Sequence, residues 1–347
     1  MQIDNYKIDQ NSPVFIIAEL SANHNGSIEI AKDTIKAAKE AGADCVKLQT
    51  YTPDTITLEH KSEHFKITQG TIWDGQYLHD LYQTAFTPWE WHEELFQTCK
   101  DEGLISFSSP FDISAVDFLE TLNVPAYKIA SFEITDIPLI EYTASKMKPI
   151  IISTGIAEIN DIQLAVDACR KVGNNEIALL KCTSSYPAPM EEANLSMIAD
   201  LAKRFNVVSG LSDHTIGSVA PITSIALGAK IIEKHFILDK SIGGPDASFS
   251  MDQKEFKDMV DGIRAAESSI GAVDYTLTEK QKKSREHSRS LFVVKDVEMG
   301  EILTNDNIRS IRPWNGLHPK YKKDVIGKKA IKKLLKGTPL EFSHIGL

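Results

Sequence analysis

The sequence predicts an α/β chain built as a closed (β/α)8 barrel with a smaller domain after it, and three observations carry that expectation. Eight short apolar runs alternate with longer amphipathic segments across about 270 residues, several of those segments end on glycine, and nearly every apolar run closes on polar side chains. A chain of 347 residues has room for one large core plus a small one, because single cores stop growing near roughly 250–300 residues.

Taken in order, the runs fall at 14–20, 44–49, 105–108, 126–130, 149–153, 177–181, 207–211 and 229–235. Their near-continuous apolar character is that of parallel strands covered by helices on both faces. Candidate helices lie between them at 28–41, 89–102, 114–122, 161–172, 195–205 and 219–227, and Gly42, Gly103, Gly173 and Gly228 stand where a left-handed residue ends a helix. Two segments break the alternation. Residues 50–86 are too long for a simple strand-to-helix loop and hold the aromatic stretch Gly70 to Tyr77, G-T-I-W-D-G-Q-Y, so a helical excursion over the barrel mouth is expected. After a helix ending near Ile270, residues 271–289 read as a polar linker between a barrel at 1–270 and a domain at 290–347. That domain opens on a strand-like run at 291–294 and carries glycine turns at Gly300, Gly316, Gly327 and Gly337; its lysine-dense part, 320–336, reads as a solvated face.

A formal net charge of -10 argues against general nucleic-acid binding, which needs a net basic surface. Cys45, Cys99, Cys169 and Cys182 lie far apart without a C-x-x-C, so neither a zinc cluster nor a disulfide framework is signalled and a reducing cytosol fits. The first apolar run is short for a signal-peptide core, and no stretch reaches the roughly 18–20 residues of a membrane span. A cytoplasmic protein with no nucleic-acid or membrane partner is expected.

Chemistry in a (β/α)8 barrel sits at the C-terminal strand ends, so the polar residues closing each run are the informative ones. These are Glu19 and Asn23; Lys47 and Gln49; Ser108 and Ser109; Lys128, Ser131 and Glu133; Ser153 and Thr154; Lys181, Thr183, Ser184 and Tyr186; Ser212, Asp213 and His214; Glu233, Lys234 and His235. Lys47 and Lys128 stand inside the runs V-K-L-Q-T and Y-K-I-A-S, whose branched neighbours face the other way, so both ammonium groups point into the barrel. A buried ammonium needs an anion. A phosphate suits, worth about 4 kcal/mol of attraction per lysine in contact; the structural alternative is an ion pair with Glu19 or Glu133. His214 and His235 close consecutive strands and are placed to face each other. Two imidazoles beside carboxylates make a site for a divalent ion with open positions, and Asp213, Glu233 and Asp246 are the candidates to orient an imidazole. His24, in S-A-N-H-N-G, suits loop packing as well as catalysis, with Asn25 or Ser27 as the N-cap of the next helix. G-G-P-D at 243–246 is a turn signal, and Trp89, Trp91 and His92 read as packing for a helix start.

In order and spacing, A-E-L-S-A-N-H-N-G, K-L-Q-T-Y-T-P-D, S-S-P-F, Y-K-I-A-S-F-E, S-T-G, K-C-T-S-S-Y-P, G-L-S-D-H-T, I-E-K-H-F and G-G-P-D resemble the sialic acid synthase family across essentially the whole chain. The part around I-R-P-W-N-G, Ile311 to Gly316, resembles that family's antifreeze-like (SAF) domain. The resemblance implies a transferase that joins phosphoenolpyruvate to an amino-sugar aldehyde. It implies phosphoenolpyruvate contacts at Lys47, Ser109, Lys128, Ser131, Ser153, Ser184 and Ser212, and a divalent metal (Mn2+, Mg2+ or Co2+) on His214 and His235. Glu19, Gln49, Tyr186 and Asp246 match sugar-handling positions, and Arg312 matches a residue inserted into the partner's barrel in a domain-swapped homodimer. Glu19 or Glu233 is expected to take or relay the proton of an attacking water. The opening A-E-L-S-A-N-H, the G-T-I-W-D-G insertion, T-P-W-E-W-H and R-P-W-N-G-L-H-P-K resemble the branch using 2,4-diacetamido-2,4,6-trideoxy-L-altrose, and Ser184 and Ser109 depart from the N-acetylneuraminate-forming pattern. The alternatives are the same reaction on N-acetylmannosamine or a legionaminate precursor, or a catalytically silent barrel that presents its C-terminal domain for binding. A glycosidase barrel is disfavoured by the lysine–serine ring.

Overall fold

The computed structural model describes residues 1–346 and divides into two compact units, Met1–Gly271 and Ala272–Leu347. The larger opens on an antiparallel hairpin that the sequence pattern does not announce, β1 (Gln2–Ile3) with β2 (Tyr6–Lys7). Eight parallel strands follow: β3 (Phe15–Glu19), β4 (Cys45–Thr50), β5 (Ile105–Pro110), β6 (Tyr127–Ile129), β7 (Ile150–Ser153), β8 (Ile177–Cys182), β9 (Val208–Asp213) and β10 (Ile231–His235). Every apolar run is thus a strand. They form a closed barrel in sequence order, β10 returning to β3 in a register that runs from Ile231 opposite Phe15 to His235 opposite Glu19.

Around the barrel lie α1 (Ile28–Glu40), α2 (Pro53–Ile56), α3 (Leu78–Ala85), α4 (His92–Asp101), α5 (Ile113–Thr121), α6 (Ile137–Ala144), α7 (Ile159–Lys171), α8 (Met197–Phe205), α9 (Val219–Ala226) and α10 (Gln253–Ile270). Of the two cap candidates for α1 it is Ser27 that serves, accepting from the Ile30 N–H at 3.4 Å. Beyond its other end Gly42 takes φ +92°, a conformation costly for any residue with a Cβ. The expected excursion between β4 and α4 contains α2, α3 and a 3-10 turn at Glu63–Phe65.

Strand alternation then decides what faces inward. In β4, Cys45 joins Phe15, Ile17 and Phe107 in one apolar cluster, whereas Val46 and Leu48 pack with Ile16, Ala18 and Ile35 of α1 in another. Lys47 and Gln49 therefore share the inward face with Cys45. Ile3 in the hairpin and Ile8 just past it belong to the same cluster as Cys45, Phe15, Ile17 and Phe107, so apolar residues fill the N-terminal end of the barrel, while polar ones close the C-terminal strand ends.

The smaller unit begins inside the stretch read as a linker, which in fact holds α11 (Glu279–Arg285), capped by Thr278 accepting from the Gln281 N–H at 3.2 Å. Next, β11 (Ser290–Val293) pairs antiparallel with β12 (Ile308–Ile311), followed by α12 (Lys322–Val325), over a core that includes Leu291, Val297, Leu303 and Leu334. Gly316 is not the turn glycine expected: a Cβ there would lie 2.2 Å from the Leu291 carbonyl oxygen, so close backbone approach dictates it. Lys323, Lys328, Lys329, Lys332, Lys333 and Lys336 are exposed, as a solvated face requires. Among the described residues no helix is long and apolar enough to cross a membrane.

Candidate active site

The C-terminal strand ends bring most of the singled-out residues together. Lys47 is buried at 3% exposure and forms a close ion pair with Glu19 and a second, at 3.1 Å, with Glu233. Lys128 is buried at 1% exposure, donates to Ser153 Oγ at 2.6 Å and to the Ile129 carbonyl at 3.0 Å, and lies 3.9 Å from Glu233. Burial pulls the Lys47 ammonium down to about 8, against the opposing pull of Glu233. The structural alternative is therefore partly realised, with one correction: the lysine partners are Glu19 and Glu233, and Glu133 forms no ion pair among the described residues.

Serines surround the two ammonium groups. Ser109 Oγ accepts from Lys47 at 3.3 Å, Ser212 donates to Glu233 at 3.3 Å, and Ser131 Oγ accepts the Gly155 N–H at 3.1 Å. Ser184 Oγ is buried with no partner. Gly155 lets the last two hydroxyls approach, because a Cβ on it would sit 2.1 Å from Ser184 Oγ and 2.7 Å from Ser131 Oγ. Gln49, at the end of β4, donates to Glu19 at 3.1 Å and to Ser21 at 3.0 Å, and the Ser21 hydroxyl donates to Asp246 at 2.5 Å.

His214 and His235 face each other as expected, ring centroids 5.3 Å apart. His214 Nδ1 lies 2.9 Å from the Thr183 carbonyl, which only accepts, so Nδ1 carries a proton and, in the neutral ring, Nε2 is the nitrogen with the lone pair. His235 Nδ1 is buried without a hydrogen-bond partner, with Asp246 Oδ2 at 3.7 Å. Asp246 is thus the carboxylate beside an imidazole; Asp213 is committed to Lys234 at 2.5 Å and to the Thr215 N–H at 3.1 Å, and Glu233 to the lysines. Tyr186 packs on His214 at 4.4 Å. Phe249, which sequence reasoning passed over, packs against His235 at 5.0 Å. Among the described residues no three His, Cys, Asp or Glu converge as a metal cage. Two imidazole nitrogens with one nearby carboxylate nevertheless form a donor set suited to a borderline divalent ion that takes its remaining ligands from water and substrate.

Glu133, in the 3-10 turn after β6, is the other residue the sequence undervalued. It is close enough to Lys128 and Lys47 to feel both charges, yet burial outweighs them and raises its carboxyl to about 7; one of its oxygens has no partner. Its place at a strand end marks it in the sequence only as a polar residue and ion-pair candidate; burial without a partner is invisible to spacing. His24 is a packing residue: its Nδ1 accepts the Gly26 N–H at 3.1 Å, its Nε2 lies 3.3 Å from the Thr87 hydroxyl, and burial lowers it to about 4. Trp89 stacks on Phe118 of α5 at 4.7 Å, consistent with its expected role at a helix start. Arg312 is exposed on the smaller unit, just past β12. A cavity of 760 Å³ opens at the opposite, N-terminal end of the barrel, but its Arg264 is already satisfied by Asp44, Glu267 and the Val14 carbonyl, and none of the expected site residues line it.

Residues 34–275 match the model of the NeuB family, and residues 288–346 that of the SAF domain. The chain belongs to the NeuB family. It is 51% identical to the pseudaminic acid synthase of Helicobacter pylori over 96% of this chain and 98% of that one, and 48% identical to the pseudaminic acid synthase of Campylobacter jejuni over 99% of each. Among solved structures it is similar to the N-acetylneuraminic acid synthetase of Leptospira borgpetersenii in complex with citrate, with TM-score 0.73 and 30% identity over 82% of this chain and 94% of that one. It is also similar to a spore coat polysaccharide biosynthesis protein of Bacillus subtilis, with TM-score 0.68 and 35% identity over 100% and 99%. NeuB relatives are synthases, and this chain is an enzyme of that kind.

Proposed function

We infer that the chain condenses phosphoenolpyruvate with 2,4-diacetamido-2,4,6-trideoxy-L-altrose and water to give pseudaminic acid and phosphate. The methylene carbon of phosphoenolpyruvate bonds to the aldehyde carbon, water adds at the former enol carbon, and phosphate leaves with carbon–oxygen cleavage. The observation that carries this reading is the cluster of unpartnered buried atoms at one barrel mouth: Ser184 Oγ, His235 Nδ1 and one oxygen each of Glu133 and Glu233. Buried polar groups are ordinarily paired, so such a cluster calls for a polar ligand.

Lys47 and Lys128 with the serines hold the phosphate and carboxylate, which makes the attack effectively intramolecular. Tyr186, Asp246 and Gln49 hold the sugar. Glu19 and Glu233 already offset the two ammonium charges, so a trianionic substrate needs further positive charge beside them. His214 and His235 would hold a divalent cation there, Mn2+, Mg2+ or Co2+, which supplies polarisation of the sugar carbonyl. For the proton of the attacking water, Glu133 is better suited than the expected Glu19 or Glu233: those two are ion-paired with lysines, and Lys128 and Lys47 hold the Glu233 carboxyl below its usual range despite burial, whereas a carboxyl poised at about 7 accepts a proton readily at neutral pH.

A second copy covers the barrel mouth in this reading and supplies Arg312. In support, Ile113 at the start of α5 and Phe132, Ile156 and Ile216 in the connections after β6, β7 and β9 are solvent-exposed, Phe132 at 58% and Ile216 at 60%, apolar side chains on the C-terminal side of the strands that a second copy would cover. The reaction takes place in the cytosol, in keeping with four free, buried cysteines. The deciding experiment is phosphate release and product mass spectrometry with phosphoenolpyruvate and a panel of amino sugars. Turnover of the L-altro diacetamido sugar, abolished by chelation and restored by Mn2+, is expected. Preferential turnover of N-acetylmannosamine or a legionaminate precursor would overturn the sugar assignment, and full activity of metal-stripped enzyme the metal.

A further inference from the structure

Over the imidazole pair the excursion between β4 and α3 lays a ribbon whose construction is specific. Lys66 bridges Tyr77 in antiparallel fashion, the Ile67 N–H donates to the Gln76 carbonyl at 2.9 Å and the Gly75 N–H to the Ile67 carbonyl at 2.9 Å. The tip is pinned by Asp74, whose carboxylate accepts the Gly70 N–H at 2.9 Å and, from Thr71, the N–H at 2.8 Å and the hydroxyl at 3.0 Å. What the pinned turn delivers inward is Trp73; its neighbour Ile72 is half exposed. The indole ring packs at 5.6 Å on Tyr186 and 6.4 Å from Phe249, the same two rings that lie on His214 and His235.

The indole Nε1–H of Trp73 is buried and donates to nothing. Trp89 also has an unpaired Nε1, but its ring stacks on Phe118 of α5 and not on the rings around the imidazole pair. Trp73 differs because its neighbours are the walls of the pocket in which the sugar is placed. An indole N–H is a donor only, so the complementary ligand group is an acceptor that tolerates aromatic surroundings. An acetamido group is that: a strong carbonyl acceptor carrying a methyl that rings can cover.

We propose that Trp73 is a specificity-determining residue for the amino sugar, its indole N–H donating to the carbonyl oxygen of an acetamido substituent whose methyl lies against the Trp73 and Phe249 rings. This rests on the assignment of a diacetamido sugar as second substrate. A site built around a hydrogen bond rejects ligands that lack the partner, because its own polar group is then left unpaired. The ribbon thus selects among acetamido sugars while the lysine–serine ring handles phosphoenolpyruvate.

The test is Trp73→Phe, which keeps a ring and removes the N–H, with Trp73→Ala as a second variant and circular dichroism as the folding control. Trp73→Phe is expected to raise KM for the diacetamido sugar about tenfold, the loss of one hydrogen bond, with KM for phosphoenolpyruvate within about twofold of wild type. An unchanged sugar KM, or an equal rise for both substrates, overturns the proposal. If wild type does not turn over the diacetamido sugar at all, the substrate assignment falls and this inference with it; wild-type turnover with an indifferent Trp73→Phe sinks the inference alone.

Discussion

At the scale of single residues, the site is a contest between burial and charge. Glu133 and Lys47 are pushed in opposite directions from their usual ranges by the same cause, loss of water, and each ends near neutrality: about 7 for the acid, about 8 for the base. For kcat/KM with phosphoenolpyruvate the signs are opposite. Glu133 as a base works only when ionised, so activity rises through about pH 7; Lys47 binds anions only when protonated, so activity falls above about pH 8. A narrow bell is expected, and Glu133→Gln should remove its acid limb and lower kcat by about 100-fold or more while leaving the alkaline limb in place. An unaltered acid limb in that variant would return the proton to Glu19 or Glu233. The sequence made Lys47, Lys128, His214 and His235 legible because strand alternation fixes which way a side chain points. It marked Glu133 only as a strand-end residue and ion-pair candidate and Trp73 only as part of an aromatic stretch, and passed over Phe249, because their importance lies in what does not touch them or in contacts from a distant loop.

At the scale of elements, Gly155 and His92 show how connections hold the strand ends in place. Gly155 opens the turn between β7 and α7, and no atom fits where its side chain would begin. Gly155→Ala should push Ser184 and Ser131 apart, raising KM for phosphoenolpyruvate by about tenfold or more at a stability cost of about 1–3 kcal/mol, measured by steady-state kinetics and urea titration. An unaffected KM would mean those hydroxyls do not contact the substrate. His92, the first residue of α4, donates from Nδ1 to the Pro88 carbonyl at 3.2 Å and accepts at Nε2 from the Thr50 hydroxyl at 2.9 Å, tying the helix to the end of β4. Burial lowers it from 6.5 to about 4. The unfolded chain therefore binds the proton more readily, so the stabilisation is fully present above about pH 6.5 and is lost as pH falls toward about 4, by at most about 3 kcal/mol. His92→Gln should flatten that part of the urea-midpoint profile; parallel acid loss in both proteins would assign it elsewhere. The eight barrel strands were readable because both faces of each are buried. The two-residue strands of the hairpin and the seven residues of α11 are too short to show a period.

At the scale of the whole molecule, the two units have separate cores, and each takes a different part in the chemistry proposed. The barrel carries the lysines, serines and imidazoles; the SAF unit carries Arg312, exposed and far along the chain from all of them. Sequence made both units legible, since each has its own apolar pattern, but whether Arg312 acts in its own chain or across a dimer is a question of assembly that no single-chain pattern encodes. The exposed Ile113, Phe132, Ile156 and Ile216 are the reason to test assembly across copies. Complementation separates the two arrangements. His235→Ala and Arg312→Ala should each be nearly inactive as pure proteins. Co-expressed, they form mixed dimers in which one barrel with intact imidazoles meets an intact arginine from the other chain, so activity should return to about a quarter of wild type, with light scattering reporting a dimer throughout. If arginine served its own barrel, every site in the mixture would lack one group or the other, and no activity would return.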